Sequence, residues 1–130
     1  SEMCIRDRGK YKAFRKGLEQ LAAEGVVQIL KNEARGDASP VMAAVGPMQF
    51  EVMQARMEFE YNVETVTEPI PYSVARRTDA ESAPELGRQR GVEIFTRQDG
   101  ELIALFGDKW KLAFIEKEHP ELTMETLVAD

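Results

Sequence analysis

The stretch VMAAVGPMQFEVMQARMEFEY, residues 41–61, decides the fold of this 130-residue chain. It opens on an uncharged run with a β-branched residue at each end, which predicts a strand over residues 41–45. Gly46 and Pro47 then predict a sharp strand-to-helix junction. The fixed φ of proline suits the first helical position, where its missing N–H would have been unpaired anyway. A strand followed by such a helix predicts a core unit built around a sheet.

The helix predicted after Pro47 is apolar over most of its circumference. Its main apolar stripe consists of Met48, Val52, Ala55 and Phe59, and Phe50, Met53 and Met57 widen it. Glu51, Gln54 and Glu58 leave only a narrow polar face. Because so broad an apolar surface must be covered, we expect both groups of apolar residues to pack on a sheet. The helix is therefore predicted to be structural and not catalytic.

The neighbouring segments extend this unit in both directions. Residues 9–24 have the apolar spacing of a helix, and residues 26–30, VVQIL, predict a strand. Residues 31–40 read as a loop and residues 63–68 as another strand. The order helix, strand, strand, helix, strand is that of an α+β fold, a ferredoxin-like antiparallel sheet with two helices on one face. That arrangement needs one more strand before the first helix.

Three residues are predicted to have special backbone roles. Gly17 lies inside the first helix and costs about 1 kcal/mol relative to alanine, which indicates a close packing contact there. Gly25 stands where a left-handed residue is expected to end the first helix. Asn62 is expected to end the second helix in the same way, since asparagine tolerates the left-handed conformation.

Residues 1–8, SEMCIRDR, have no periodicity and are expected to form no element. The string looks like a non-native or disordered prefix, so the domain is predicted to span residues 9–130. Its ferredoxin-like part would be residues 9–70, without the first strand, and residues 71–130 would be a β-rich C-terminal extension. An absent strand would leave backbone groups of its neighbour unpaired. This predicts dimerisation through an open sheet edge.

The extension is predicted to contain three strands, at residues 72–77, 92–97 and 102–106. The last two are joined by Gln98-Asp99-Gly100 and give the strongest hairpin signal in the chain. Residues 109–118 leave two interpretations open. They alternate as a strand would, but Asp108 is also suited to cap a helix that buries Trp110, Phe114 and Ile115.

The composition and motifs exclude several classes of protein. A single cysteine, Cys4, excludes an internal disulfide and fits a reducing cytoplasm. No apolar run approaches the roughly 20 residues that span a bilayer, so no membrane partner is expected. Glycine-rich phosphate loops are absent from the sequence, and one histidine, His119, with one cysteine builds no metal cluster. We therefore expect no catalytic, cofactor-binding or metal-binding residues and no enzyme activity.

Basic residues occur in two groups, Lys10, Lys12, Arg15 and Lys16 in the first helix, and Arg76, Arg77, Arg88 and Arg90 further on. The net charge of −6 argues against nucleic-acid binding by the whole surface but permits a local basic patch. Two interpretations stay open, a solvated surface and a patch that docks on phosphates. The residues chosen for the docking hypothesis are Lys12, Arg15, Lys16, Arg76 and Arg77.

Two segments resemble a known family, FRKGLEQLAAEGVVQ at residues 14–28 and AAVGPMQFEVMQARMEFEYNVE at residues 43–64. They are similar to the C-terminal, third domain of the bacterial peptide chain release factor 3 family. The residues of the second segment that carry the resemblance are Val45, Gly46, Gln49, Phe50, Val52, Arg56, Glu60, Tyr61, Asn62 and Val63. The likeness extends over residues 10–130 but is less specific after residue 71.

The resemblance implies a ferredoxin-like domain of a translation-termination GTPase that promotes release of class I release factors from the ribosome. In that family GTP and Mg²⁺ bind an N-terminal domain, which a β-barrel follows, so this piece is expected to hydrolyse no GTP. Its implied roles are ribosome docking and domain orientation, in the cytoplasm. The implied partners are the ribosome (rRNA and ribosomal protein), the G domain and β-barrel of the same protein, and class I release factors indirectly. The basic residues chosen above would face the ribosome.

A ferredoxin-like regulatory module that binds a small ligand between helices and sheet is the alternative function. The methionine-rich second helix favours it, because methionine side chains adapt to irregular pockets. Few polar groups are available to converge on such a ligand.

Overall fold

A computed structural model of the chain describes residues 2–5, 8–32, 34, 40–43 and 47–127. The chain divides into two compact units, Ser1–Ile70 and Pro71–Asp130. Each unit has its own elements and its own hydrophobic cluster.

The first unit is built from four strands and two long helices in its described residues. In chain order they are β1 (Glu2–Ile5), α1 (Tyr11–Ala23), β2 (Gln28–Lys31), β3 (Val41–Ala43), α2 (Pro47–Tyr61) and β4 (Thr65–Glu68). One turn of 3₁₀ helix, Arg8–Lys10, leads into α1. The strands lie in the order β4-β1-β3-β2, and every pair is antiparallel. This order and the βαββαβ succession confirm the predicted ferredoxin-like α+β fold.

Both helices pack on the same face of this sheet. Phe14 and Leu21 of α1 and Met53 and Met57 of α2 are completely buried. They share one cluster with inward-facing strand residues, among them Met42 of β3. A single cluster common to both helices and the sheet confirms the predicted layer of two helices on one face.

The expectation that residues 1–8 form no element is wrong for β1. The backbone of Glu2 aligns with Glu68 of β4 and with Val41 of β3. Four residues are too few to show a periodicity, and pairing with distant strands is what places them in the sheet. The strand whose absence suggested an open sheet edge is therefore present, which removes that reason for a dimer. Dimerisation itself and a non-native origin of residues 1–8 stay predictions.

The prediction about the apolar stripe of α2 is also wrong in part. Met48 is 69% exposed, Val52 45% and Phe59 85%, whereas Met53 and Met57 are completely buried. The helix carries two apolar arcs on opposite sides, and a sheet can cover only one of them. The covered arc follows the spacing of Phe50, Met53, Met57 and Tyr61, which all belong to or pack against the core cluster.

The backbone predictions for the first unit are confirmed where the structure describes them. Pro47 is the first residue of α2, and Gly25 and Asn62 have positive φ values of 80° and 56°. The strand expected at residues 26–30 begins two residues later, at Gln28. Residues 44–46 of the predicted strand and junction lie outside the described residues, as do residues 33 and 35–39 of the predicted loop.

The second unit combines an antiparallel sheet with two helices. Its elements are β5 (Val74–Thr78), α3 (Ala83–Gly87), β6 (Val92–Arg97), β7 (Leu102–Phe106) and α4 (Lys109–Glu118). The strand order β6-β7-β5 contains the predicted hairpin, closed where the Arg97 amide donates to the Glu101 carbonyl at 2.8 Å. Because helices accompany the strands, the expectation of a β-rich extension is not confirmed.

The helical interpretation of residues 109–118 is the one that the structure bears out. The amide of Lys111 donates to the Asp108 carboxylate at 2.8 Å, which is an N-cap for α4. Leu112 and Ile115 are buried in the core cluster of the second unit. Trp110 and Phe114 were expected to be buried with Ile115, but their side chains are 72% and 57% exposed. The buried stripe of α4 is thus narrower than predicted.

Candidate functional site

The candidate functional features of the described residues lie on exposed surfaces. In the ranges that the structure covers, no three His, Cys, Asp or Glu side chains come together in a way that could hold a metal ion. No helix in those ranges is both long and apolar enough to cross a bilayer. The features that can carry chemistry are exposed charged and aromatic side chains.

The first such feature is the cationic face of α1, formed by Lys12, Arg15 and Lys16. All three side chains are exposed, on the side of the helix opposite its buried residues. Glu19 lies among them, with a carboxylate oxygen 4.0 Å from an Arg15 nitrogen. An ion pair this long and this exposed contributes little, so all three cations stay accessible to an external anion.

Lys10 was grouped with these residues in the sequence but has a different role. Its ammonium donates to the backbone carbonyl of Asn62 at 2.7 Å. Asn62 is the left-handed residue directly after α2. Lys10 therefore ties the start of α1 to the end of α2.

Arg76 and Arg77 lie next to each other on β5 in the second unit. Successive strand residues point to opposite faces of a sheet, so these two side chains do not share a surface. The Arg77 backbone exchanges two hydrogen bonds with Glu125, and its guanidinium is 3.7 Å from the Glu125 carboxylate. The Arg76 guanidinium donates to the carbonyl of Ala75. Both arginines are half-buried and already make contacts within their own unit.

A second surface, which the sequence did not reveal, is the aromatic-lysine face of α4. It consists of Trp110, Phe114, Lys109, Lys111 and Lys117. The Lys109 ammonium lies 5.0 Å from the Trp110 ring centroid, and the Lys111 ammonium lies 5.9 Å from that of Phe114. These are cation–π distances. The Asp108 cap signalled the helix, in which Trp110 and Phe114 lie one turn apart, but it did not signal that their side chains would be exposed.

An ionic network connects the two helices of the first unit. The Arg56 guanidinium on α2 donates to Glu60 on the same helix at 2.6 Å and to Glu24, just after α1, at 2.5 Å. The hydrogen bond from Arg56 lowers the pKa of Glu24 to about 2, and a second one from Gln20 adds to this effect. Arg56 likewise holds the pKa of Glu60 below its usual value. The network links the residue that follows α1 to α2 at the surface of the first unit.

Comparison with known proteins identifies relatives that match most of the chain. A family model described as "Class II release factor RF3, C-terminal domain" matches residues 1–116. The chain is 40% identical over 120 residues to a peptide chain release factor 3 from Synechococcus elongatus. It is 38% identical over 120 residues to proteins of that name from Trichormus variabilis and Symbiobacterium thermophilum. Each of these matches covers 91% of this chain but only 22% of the relative.

Proposed function

The chain belongs to the family of class II release factor RF3 C-terminal domains, and we propose that it acts in translation termination as a ribosome-docking and orienting domain. In this proposal the full-length protein is a cytoplasmic GTPase that promotes the release of class I release factors. The matched region is a C-terminal domain, so GTP and Mg²⁺ are proposed to bind elsewhere in that protein. Its own G domain and β-barrel are proposed partners of this domain within the protein.

The observation that carries the docking proposal is the cationic face of α1. Lys12, Arg15 and Lys16 are exposed on one helix whose opposite side is anchored in the core. Three cations on a rigid element suit contact with the phosphates of rRNA, since phosphate contacts position a protein on nucleic acid.

The aromatic-lysine face of α4 supports a second contact with RNA. Exposed rings of Trp110 and Phe114 offer surfaces on which unpaired bases stack, and stacking is worth about 1 to 3 kcal/mol per base. Lys109 and Lys111 keep positive charge beside those rings for the neighbouring phosphates. Arg76 and Arg77 are weaker candidates because each already makes contacts within its unit.

Orientation is the other half of the proposal. Completely buried side chains of α1 and α2 interlock over the sheet, and Arg56 bridges the two helices. A packed unit of this kind transmits rigid-body motion, whereas a loop would absorb it. The domain is thus suited to hold the rest of a release factor in a fixed position on the ribosome.

A salt-dependent binding experiment tests the docking proposal. We expect the chain to co-sediment with 70S ribosomes, and the combined replacement of Lys12, Arg15 and Lys16 by glutamate to weaken this binding. Each phosphate contact contributes about 0.7 to 0.9 to the slope of log affinity against log salt, so the variant should lose a slope of about 2 to 3. A competition assay, with the chain in excess over a full-length relative during termination, should show inhibition.

The matched control replaces three exposed basic residues outside the cationic face, Lys31, Arg88 and Arg90, by glutamate. It has the same net charge as the test variant and should keep the wild-type salt slope. Equal slopes for the two variants, or an affinity unchanged in the test variant, would contradict docking through α1.

The alternative function, binding of a small ligand between helices and sheet, requires a cavity in that layer. In the described residues the interior of this layer is filled by completely buried side chains, among them Phe14, Leu21, Met53 and Met57, and the polar cavity beside Gln54 and Thr65 is open to solvent. Of the methionines that favoured this function, Met53 and Met57 are therefore core residues, whereas Met48 is exposed. The geometry favours docking over ligand binding.

A further inference from the structure

The side of α2 that faces away from the sheet is an apolar surface without a partner in the described residues. We define this outer face as Met48, Val52, Ala55 and Phe59. The four positions follow each other at helical spacing along the full length of α2. Phe59 is 85% exposed and Met48 69%. Single exposed apolar residues are ordinary, but a continuous stripe of them marks an interaction site.

An acidic flank borders the outer face on one side. Glu51 and Glu58 are exposed, two turns apart on α2, and make no ion pair with any residue that the structure describes. On the opposite flank, Arg56 is held by Glu24 and Glu60 and is not available to neutralise them. The outer face therefore carries net negative charge along one edge.

An open polar cavity adjoins this flank. It has a volume of about 310 Å³ and is lined by Gln54, Glu58, Glu64 and Thr65. The hydroxyl oxygen of Thr65 is buried and has no hydrogen-bond partner among the described residues. Gln54 reaches across to the Thr65 carbonyl at 3.4 Å. Glu58 thus belongs both to the edge of the apolar stripe and to the wall of the cavity.

The charges on this surface decide which partner fits it. Phosphates of RNA and anionic lipids would be repelled by Glu51 and Glu58, whereas a lysine or arginine would be attracted. Glu58 of the acidic flank lines the cavity together with Thr65 of β4, while Arg56 on the other flank contacts Glu24 at the end of α1. The cations of α1 therefore lie on the far side of α2 from the acidic flank, so they do not oppose a basic partner there.

We propose that the outer face of α2 docks a protein segment that carries apolar side chains next to a lysine or arginine, with the basic side chain in the cavity beside Glu58. The apolar side chains of the partner would cover Val52 and Phe59 in the manner of helix-in-groove recognition, with α2 as the presented helix. This site is separate from the cationic face of α1. It is proposed to bind a protein, whereas the cationic face is proposed to bind RNA.

A titration with a defined probe tests this site without ribosomes. The probe is a short amidated peptide of leucine and lysine at helical spacing, added to the ¹⁵N-labelled chain and followed by amide chemical shifts. We expect shifts concentrated in α2 and around Thr65. The double variant Val52→Ser, Phe59→Ser and the charge reversal Glu58→Lys should each weaken binding about tenfold or more, as replacement of central interface residues does.

Three controls establish whether binding is specific to this site. Glu81→Lys makes the same charge change at an exposed position in the second unit and should leave binding unchanged. A peptide with glutamate in place of lysine should not bind. The variant with glutamate at Lys12, Arg15 and Lys16 should bind the peptide at least as well as the wild type, so failure of RNA docking and failure of this site are distinguishable.

Several results would overturn the proposal. They are absence of peptide binding, binding that Glu58→Lys and Glu81→Lys weaken equally, or a single-stranded RNA oligonucleotide that shifts the amides of α2 instead. Concentration-dependent shifts of the same amides without peptide would identify a second copy of the chain as the occupant and would also contradict it.

Discussion

Gly17 shows how a single residue sets the distance between the two helices of the first unit. A Cβ atom at this position would lie 2.6 Å from the Met57 sulfur and 3.1 Å from a ring carbon of Tyr61. Real Cβ atoms essentially never approach a neighbour to 2.6 Å, and Met57 is completely buried, so its side chain can shift only against other core residues. The glycine that weakens α1 locally is what allows α2 to pack against it.

Gly17→Ala should therefore destabilise the chain although alanine is the better helix former. Overpacking costs about 1 to 3 kcal/mol, against a propensity gain of about 1 kcal/mol. We expect a lower urea midpoint at unchanged slope. Gly87→Ala in α3 is the control, because its Cβ would be 3.4 Å from the nearest atom, on Ile94, and should be tolerated. A Gly17→Ala variant as stable as the wild type would contradict a close contact at this position.

At the scale of elements, the Arg56 network makes the contact between α1 and α2 sensitive to acid. The folded-state pKa of Glu24 is about 2, below its ordinary value of 4.5, because Arg56 donates to it. The pKa of Glu60 is lowered by the same arginine. A carboxylate with a depressed pKa stabilises the fold above its unfolded-state pKa, and this contribution is lost as the pH falls through the folded-state value.

We expect the wild type to lose stability between about pH 4.5 and pH 2, and Arg56→Ala to lose less over that range. Thermal unfolding followed by circular dichroism at a series of pH values measures both. Because these side chains are partly exposed, the difference should shrink in high salt. If the thermal stability of the wild type and that of Arg56→Ala changed in parallel with pH, the network would not couple the helices.

The elements also show what the sequence can predict and what it cannot. Helical spacing and the caps at Pro47 and Asn62 located α2, since these signals are local. They could not tell which of its two apolar arcs meets the sheet, because that depends on how the whole helix docks. The same limit applies to Trp110 in α4. The cationic face of α1 was predictable because its basic residues are close together in the sequence. The exposure of the outer face of α2 was not predictable, because its apolar spacing is the same as that of a buried stripe.

For the whole molecule, the decisive feature is that each unit has a hydrophobic cluster of its own. Leu21 is completely buried in the cluster of the first unit, and Ile115 is 1% exposed in that of the second. Residues 43–64, which carry the family resemblance, therefore lie in a unit with its own hydrophobic cluster. Residues 71–127 belong to a second unit with a separate cluster.

Replacing either residue by alanine should cost about 2 to 5 kcal/mol of unfolding free energy, the usual cost of a large-to-small change in a core. We expect Leu21→Ala to reduce amide-exchange protection mainly within residues 8–68, and Ile115→Ala mainly within residues 74–124. Native-state hydrogen exchange resolves the two patterns. Equal loss of protection in both units from either variant would show that the chain unfolds as one cooperative block.

The position of β1 has a consequence for how the protein is made. The first strand pairs with β4, so Glu2 and Glu68 align although more than sixty residues separate them in the chain. Contacts between such distant segments form slowly, because a long loop must close first. During synthesis α1, β2 and β3 emerge before the last partner of β1 exists. The sheet of the first unit therefore cannot be completed before residue 68 has been added.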